Sequence, residues 1–294
     1  MAPPRFVAVG VSEKNRDGRN QSARERLQQQ REREKAREKQ RRVLIVTAGV
    51  VGVLGLAAVV GVIAANAGKD GGSDKAGPVV APAGSIEGDK PAIPVGASDA
   101  PSTLQVWEDF RCPACAQFEN VFRDTVHELE SSGALKVEYH LATLIDGNMG
   151  GSGSLRAANA AACAQDAGKF PAYHDTLYIN QPQETDDAFG ENAKLIELAG
   201  KVPGLDTPSF RSCVEGGTHD SWVEKANQAF QNGGFRGTPS VLLNGESVFP
   251  AKGAEQISPA NLKKWVAEAN KGKKPGTAFP SAAPSAATGT PSAG

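Results

Sequence analysis

Aromatic side chains make up only 6% of this chain. Its basic amino-terminal arm, Met1 to Arg42, lacks the interleaved rings that would stack on bases, so nucleic acid is not an expected partner. No phosphate-binding glycine motif or dinucleotide fingerprint is present, which removes a bound nucleotide or organic cofactor from the reading. Of four cysteines, Cys163 and Cys213 stand singly with no second Cys-x-x-Cys, so a zinc site would lack half its ligands and no metal is expected. No internal repeat is evident. Net charge is also nearly absent, at −1 over 294 residues.

That neutrality hides an asymmetry. Residues 1–42 hold 13 Lys and Arg against six Asp and Glu, so the remainder is acidic. From Ser22 the arm reads as a charged helix that opens on a capping-box pattern but has no apolar stripe, and so cannot be a core element. Val43 to Ala65 then runs without a charge for 23 residues, about 34 Å as a helix against a hydrocarbon core of about 30 Å. Segment 43–66 is therefore read as a transmembrane signal anchor. Lys39, Arg41 and Arg42 crowd its first end, which keeps 1–42 cytoplasmic and places the rest outside. Ala65-Asn66-Ala67 also fits a cleavage pattern, but the apolar run and the arm both exceed those of a signal peptide. Residues 67–91 read as a flexible linker, 92–271 as the folded domain, and 272–294 as a disordered Pro, Ala, Ser, Thr and Gly tail.

The domain is organised around Trp107-Glu108-Asp109-Phe110-Arg111-Cys112-Pro113-Ala114-Cys115. Pro101 to Trp107 alternates like a strand, and Phe118, Val121, Phe122, Val126 and Leu129 recur at helical spacing after Pro113, which suits a first helical position. The cysteines thus lie at a strand-to-helix junction. Unpaired N–H groups and the helix dipole there favour an anion at Cys112, making it the nucleophile, with Cys115 one turn deeper as the resolving thiol. Further strands are expected at Leu135–Leu141, Val241–Leu243 and Ser247–Phe249, with a flexible loop at Gly147–Gly153. Helices are expected at 155–166, 171–179, 193–199, 208–215 and 220–232, and at Pro259–Asn270 capped by Ser258.

Cys-Pro-Ala-Cys together with Gly237-Thr238-Pro239 resembles the thioredoxin superfamily. Glu108-Asp109-Phe110-x-Cys112-Pro113-x-Cys115, Arg156-Ala157-Ala158-Asn159-Ala160-Ala161-x-Cys163 and Tyr173-His174-x-x-Leu177-Tyr178-x-Asn180-Gln181-Pro182 narrow the resemblance to DsbA-like extracytoplasmic disulfide oxidoreductases, of the membrane-anchored actinobacterial type. The resemblance implies an α/β thioredoxin fold with an inserted helical subdomain near 152–216. It implies a cis bond before Pro239, facing the cysteines, where Thr238-Pro239 would hold extended substrate backbone. It also implies exported protein substrates and a membrane quinone-linked reoxidation partner. An even cysteine count outside the cell reads as a second, structural disulfide, with two separate buried thiols as the alternative; relatives of this type carry such a bridge, here Cys163 to Cys213.

The tuning of the pair is less direct. Thioredoxins themselves carry a buried acid six residues before the first cysteine, where this chain has Val106. Glu108 or Asp109 is the candidate proton acceptor for Cys115, solvated loop carboxylates being the alternative. Ala114 stands where the best-known DsbA enzymes have a histidine that favours the thiolate, and Thr238 is the choice of the isomerase branch. A tethered reductase or isomerase, and a non-catalytic peptide-binding or scaffolding module, are the competing functions. The histidines read as structural: His140 ends a strand, His127 and His219 are surface or capping residues, and His174 packs.

Overall fold

A computed structural model describes residues 78–280. The expected membrane anchor at 43–66 lies outside the described residues, among which no helix is long and apolar enough to cross a membrane.

Five strands form the central sheet: β1 (Ile93–Val95), β2 (Thr103–Glu108), β3 (Lys136–Leu141), β4 (Ser240–Leu243) and β5 (Glu246–Ser247), in the order β1-β3-β2-β4-β5. Strands β2 and β3 are parallel, with Val106 opposite Tyr139, and the other pairs are antiparallel. The parallel pair is joined by α1 (Pro113–Ser131), as a parallel connection requires. On one face of β2, Leu104 and Val106 alternate into the core under α1; on the other, Trp107 stacks on His140 at 3.9 Å and meets Phe235. Both faces of the sheet are thus covered. A second small hairpin, β6 (Ala251–Lys252) and β7 (Glu255–Gln256), precedes α8 (Pro259–Ala269). The expected Ser258 cap is present: its hydroxyl accepts from the Asn261 N–H, an arrangement worth about 1 kcal/mol.

Between β3 and β4 lie α2 (Leu144–Met149), α3 (Gly153–Asp166), α4 (Phe170–Ile179), a single 3-10 turn (Ala188–Gly190), α5 (Asn192–Ala199), α6 (Pro208–Gly216) and α7 (Asp220–Asn232). Helix α3 is buried all round from Ala157 to Ala164, and the six alanines of that stretch have no side chain long enough to hold neighbouring helices away. Cys163 on α3 is bonded to Cys213 on α6, so the second disulfide is present and the separate-thiol alternative falls.

Three expectations need correction. The flexible loop at Gly147–Gly153 is instead α2 and the entry to α3, held because Asp187 accepts the Ser152 and Gly153 N–H groups and Asp146 those of Ser154 and Leu155. The end of the 67–91 linker is not free. Asp166 accepts the Ala83 N–H, Gln165 donates to the Ala83 carbonyl, and Ile86 bridges Ala92, so residues 80–86 form a strap across α3 and α7. The start of the 272–294 tail is likewise bound: Gly276 donates to the Gly133 carbonyl, Thr277 and Ala278 to Asp99, and Ser98 to the Ala278 carbonyl. Gly133, at φ +70°, must be glycine here, since a Cβ would collide with the Gly276 carbonyl.

Candidate active site

Strand β2 ends at Glu108, the chain turns through Asp109 to Arg111, and Cys112 caps α1 with extended backbone. Cys112 and Cys115 are both reduced, Cys112 at 7% exposure and Cys115 at 0%. The order follows from helix geometry, since Cys112 sits at the solvent tip of α1 and Cys115 on its inward face. Pro113 and Ala114 between them are exposed. Opposite lies Thr238-Pro239, joined by a cis peptide bond, and the Cys112 thiol donates to the Thr238 carbonyl at 3.2 Å. The structure therefore brings together the two elements expected to meet. Phe249-Pro250 is also cis, which the sequence reading did not anticipate.

The two thiols differ in acidity. A hydrogen bond from Cys115 is the main reason the Cys112 thiol falls to about 6; Thr238 and the backbone N–H groups of Ala114 and Cys115 add to it, against the cost of burial. Burial pushes Cys115 well above the ordinary thiol range, and an adjacent Cys112 thiolate raises it further. One thiol is thus set to be a nucleophile near neutral pH and the other to remain protonated.

Glu108 and Asp109 are both buried, not solvated. Asp109 accepts the N–H groups of Arg111 and Ile145 and is raised by burial to about 7. Glu108 faces the other way and bonds His174 at 2.9 Å. Several residues outside the expected set complete the site. Arg111 is buried and bridges Asp146 at 2.6 Å and Asp187 at 3.0 Å, tying the turn before Cys112 to the start of the helical insertion. Gln181 donates to the carbonyls of Phe110 and Cys112, so the end of α4 holds the backbone of the nucleophile. Its place in the Asn180-Gln181-Pro182 motif was the available signal.

Among the described residues, Glu108, Glu119 and His174 have ligand-type atoms within 4.8 Å of one another. The His174 ring nitrogens already face carboxylates, Glu108 on one side and Asp175 at 3.6 Å on the other, which suits a protonated ring better than a cation ligand. His174 is expected to pack, and His219 to be a surface or capping residue. His219 does cap α7, but its ring is buried between the Val80 carbonyl and Asp166.

The family model described as thioredoxin matches residues 89–268, more than half of the chain. The chain belongs to the thioredoxin family. Within this family it is a DsbA-like protein disulfide oxidoreductase. It is 27% identical over 159 residues to a probable disulfide bond formation protein D of Bacillus cereus, an alignment covering 53% of this chain and 71% of the relative. Reduced DsbA from Mycobacterium tuberculosis superimposes with a TM-score of 0.53 at 29% identity, covering 64% of this chain and 95% of that one. Reduced DsbG from the same organism gives 0.51 and 29%, over 60% and 86%. In this thioredoxin-family enzyme the dithiol, the cis-proline loop and the buried carboxylates occupy one continuous region between sheet and insertion.

Proposed function

We propose that the enzyme forms disulfides in exported proteins, using Cys112 as the attacked and attacking sulfur and Cys115 as the resolving thiol. The difference in acidity and exposure between the two thiols carries this reading. In the donor direction a substrate thiolate attacks Cys112 Sγ, the Cys112–Cys115 bond breaks, and Cys115 leaves as the thiolate and takes a proton. A second substrate thiolate then attacks the substrate sulfur of the mixed disulfide. Cys112 leaves as a thiolate stabilised at the amino end of α1, and the enzyme has gained two electrons.

Thr238-Pro239 lies where extended substrate backbone would pair beside Cys112, as strand addition provides. The uncharged run at 43–66 supports a membrane anchor with the amino terminus in the cytoplasm and the domain outside, where disulfides persist. Two-electron turnover then calls for a membrane quinone-linked partner to reoxidise the dithiol.

Refolding of reduced ribonuclease and reduction of insulin test the reading on the full chain. Cys112→Ser should abolish both activities, and Cys115→Ser should accumulate mixed disulfides with substrate. A non-catalytic binding module would show neither activity at the start. Equilibration in glutathione buffers sets the direction: a potential near about −120 to −180 mV supports a donor, whereas one near about −270 mV makes the enzyme a reductase.

A further inference from the structure

A resolving thiol at 0% exposure cannot trade its proton with solvent directly. Exchange nonetheless demands that trade, because Cys115 attacks only as a thiolate and, when expelled from Cys112, must be reprotonated. The position six residues before Cys112 is Val106, buried and without a proton to give.

Another route is built into the same core. Glu119 follows Cys115 by four residues on α1, which places it one turn along the same buried face. One Glu119 oxygen and one Glu108 oxygen are buried without a hydrogen-bond partner, and the two residues bring carboxyl oxygens within 4.8 Å of each other, so burial and the Glu108 charge favour a proton on Glu119. Glu108 in turn bonds His174 Nε2 at 2.9 Å. The far side of that ring, Nδ1, faces Asp175 at 3.6 Å, and the other oxygen of Asp175 lies 3.5 Å from His127 Nε2. His127 is 42% exposed, and the series ends there in water.

The surroundings of His174 favour a charged ring. Phe110, Tyr139, Phe170 and Tyr178 enclose it, with ring centres 4.6 to 5.7 Å away, and the faces of such rings attract a cation. The titratable groups around it are Glu108 from β2, Glu119 and Glu130 from α1, Tyr139 from β3, and Asp175 and Tyr178 from α4 itself. Arg123 and His127 reach it only through Asp175. Burial opposes charge on His174, but Glu108 and Asp175 outweigh it and raise its affinity for a proton; burial and Glu108 together keep Glu119 protonated.

We propose that Glu119, Glu108, His174 and Asp175 form a proton relay between Cys115 and the surface at His127, with His174 as its central positioning residue. The proposal rests on Cys115 being the resolving thiol. When a substrate thiolate breaks the Cys112–Cys115 bond, the expelled Cys115 thiolate takes the Glu119 proton. Glu119 regains one from the Glu108–His174 pair, and His174 is recharged through Asp175 from His127 and water. During reoxidation the same groups run in reverse, and Cys115 gives up its proton as it closes on Cys112.

Two steps can be followed separately on the full chain by acid quenching and mass measurement: attack of Cys112 on glutathione disulfide, and resolution of the mixed disulfide by Cys115. His174→Gln should leave the first step within about two-fold and slow the second roughly 10²-fold. It should also shift the pH profile of the second step alone between about pH 5 and 9. Asp175→Asn, on a partly exposed side chain, should do the same to a lesser degree and serves if His174→Gln does not fold. A folded His174→Gln, or failing that Asp175→Asn, with an unchanged resolution rate and pH profile overturns the relay. The dithiol reading stands or falls elsewhere, on whether Cys112→Ser abolishes the first step.

Discussion

At the scale of single residues, the dominant feature is the unequal protonation of two thiols one helical turn apart. Cys112 falls to about 6 from an ordinary 9.0, chiefly through the hydrogen bond from Cys115. A disulfide does not titrate, so the lowered value stabilises only the reduced enzyme. That stabilisation is fully present above the ordinary thiol value of 9.0, is partly kept at neutral pH, and is lost as pH falls through about 6. The alkylation rate of Cys112 by iodoacetamide should accordingly be half-maximal near pH 6, and Cys115→Ala, which has no donor at that position, should move that midpoint upward. An unmoved midpoint would remove Cys115 as the stabilising donor. The spacing of the cysteines and Pro113 made this part legible in the sequence. His174 was legible as a packing residue, but its meeting with Glu108 and Glu119 was not, because only the packing of α4 on α1 makes them neighbours.

Among the elements, the strap at residues 80–86 has a chemistry of its own. His219 offers one ring nitrogen to the Val80 carbonyl and the other to Asp166, two acceptors that together require both nitrogens to carry hydrogen. Burial works against that charge, but the Asp166 and Val80 contacts outweigh it and raise the His219 pKa. A raised histidine holds its contribution below the ordinary value near about 6.5 and loses it as pH climbs through the folded value. Amide exchange at 80–86, corrected for intrinsic rate, should therefore speed up as pH rises past that point. In Asp166→Asn the exchange should be fast throughout; equal protection in both proteins would remove the charge from the account.

Periodicity located α1, α3 to α8 and the long strands within one or two residues. The short elements escaped it: β1, α2, the 3-10 turn and the β6–β7 hairpin. Strand β1 has three residues and exists through its pairing with β3, and α2 lies among Gly147, Gly150 and Gly151, where composition reads as loop. What holds α2 is Arg111 gripping Asp146 and the Gly150 carbonyl, a contact between segments about 40 residues apart that local pattern cannot reveal.

Over the whole molecule, the Cys163–Cys213 bond closes a separation of 50 residues within the insertion. Cys163→Ser with Cys213→Ser should lower unfolding free energy by roughly 2–4 kcal/mol in denaturant titration, while thiol exchange at Cys112 remains, because the bond lies outside the dithiol region. Loss of exchange in a folded double variant would instead make the bridge part of the site. Family motifs announced the sheet, the insertion and the bridge; the docking of both ends of the described chain was not announced, since Pro, Gly and Ala side chains give no sign that their backbones will find partners.

Helix α1 runs 19 residues from Pro113, about 28 Å, with the thiols at its first turn and Gly133, which grips Gly276, just past its last. The carboxyl-terminal segment is consequently fastened at the opposite pole from Cys112. A bead, sensor surface or affinity handle attached at the exposed Ala278 would sit on the segment fastened at that far pole, leaving an immobilised enzyme with its dithiol turned toward whatever flows past.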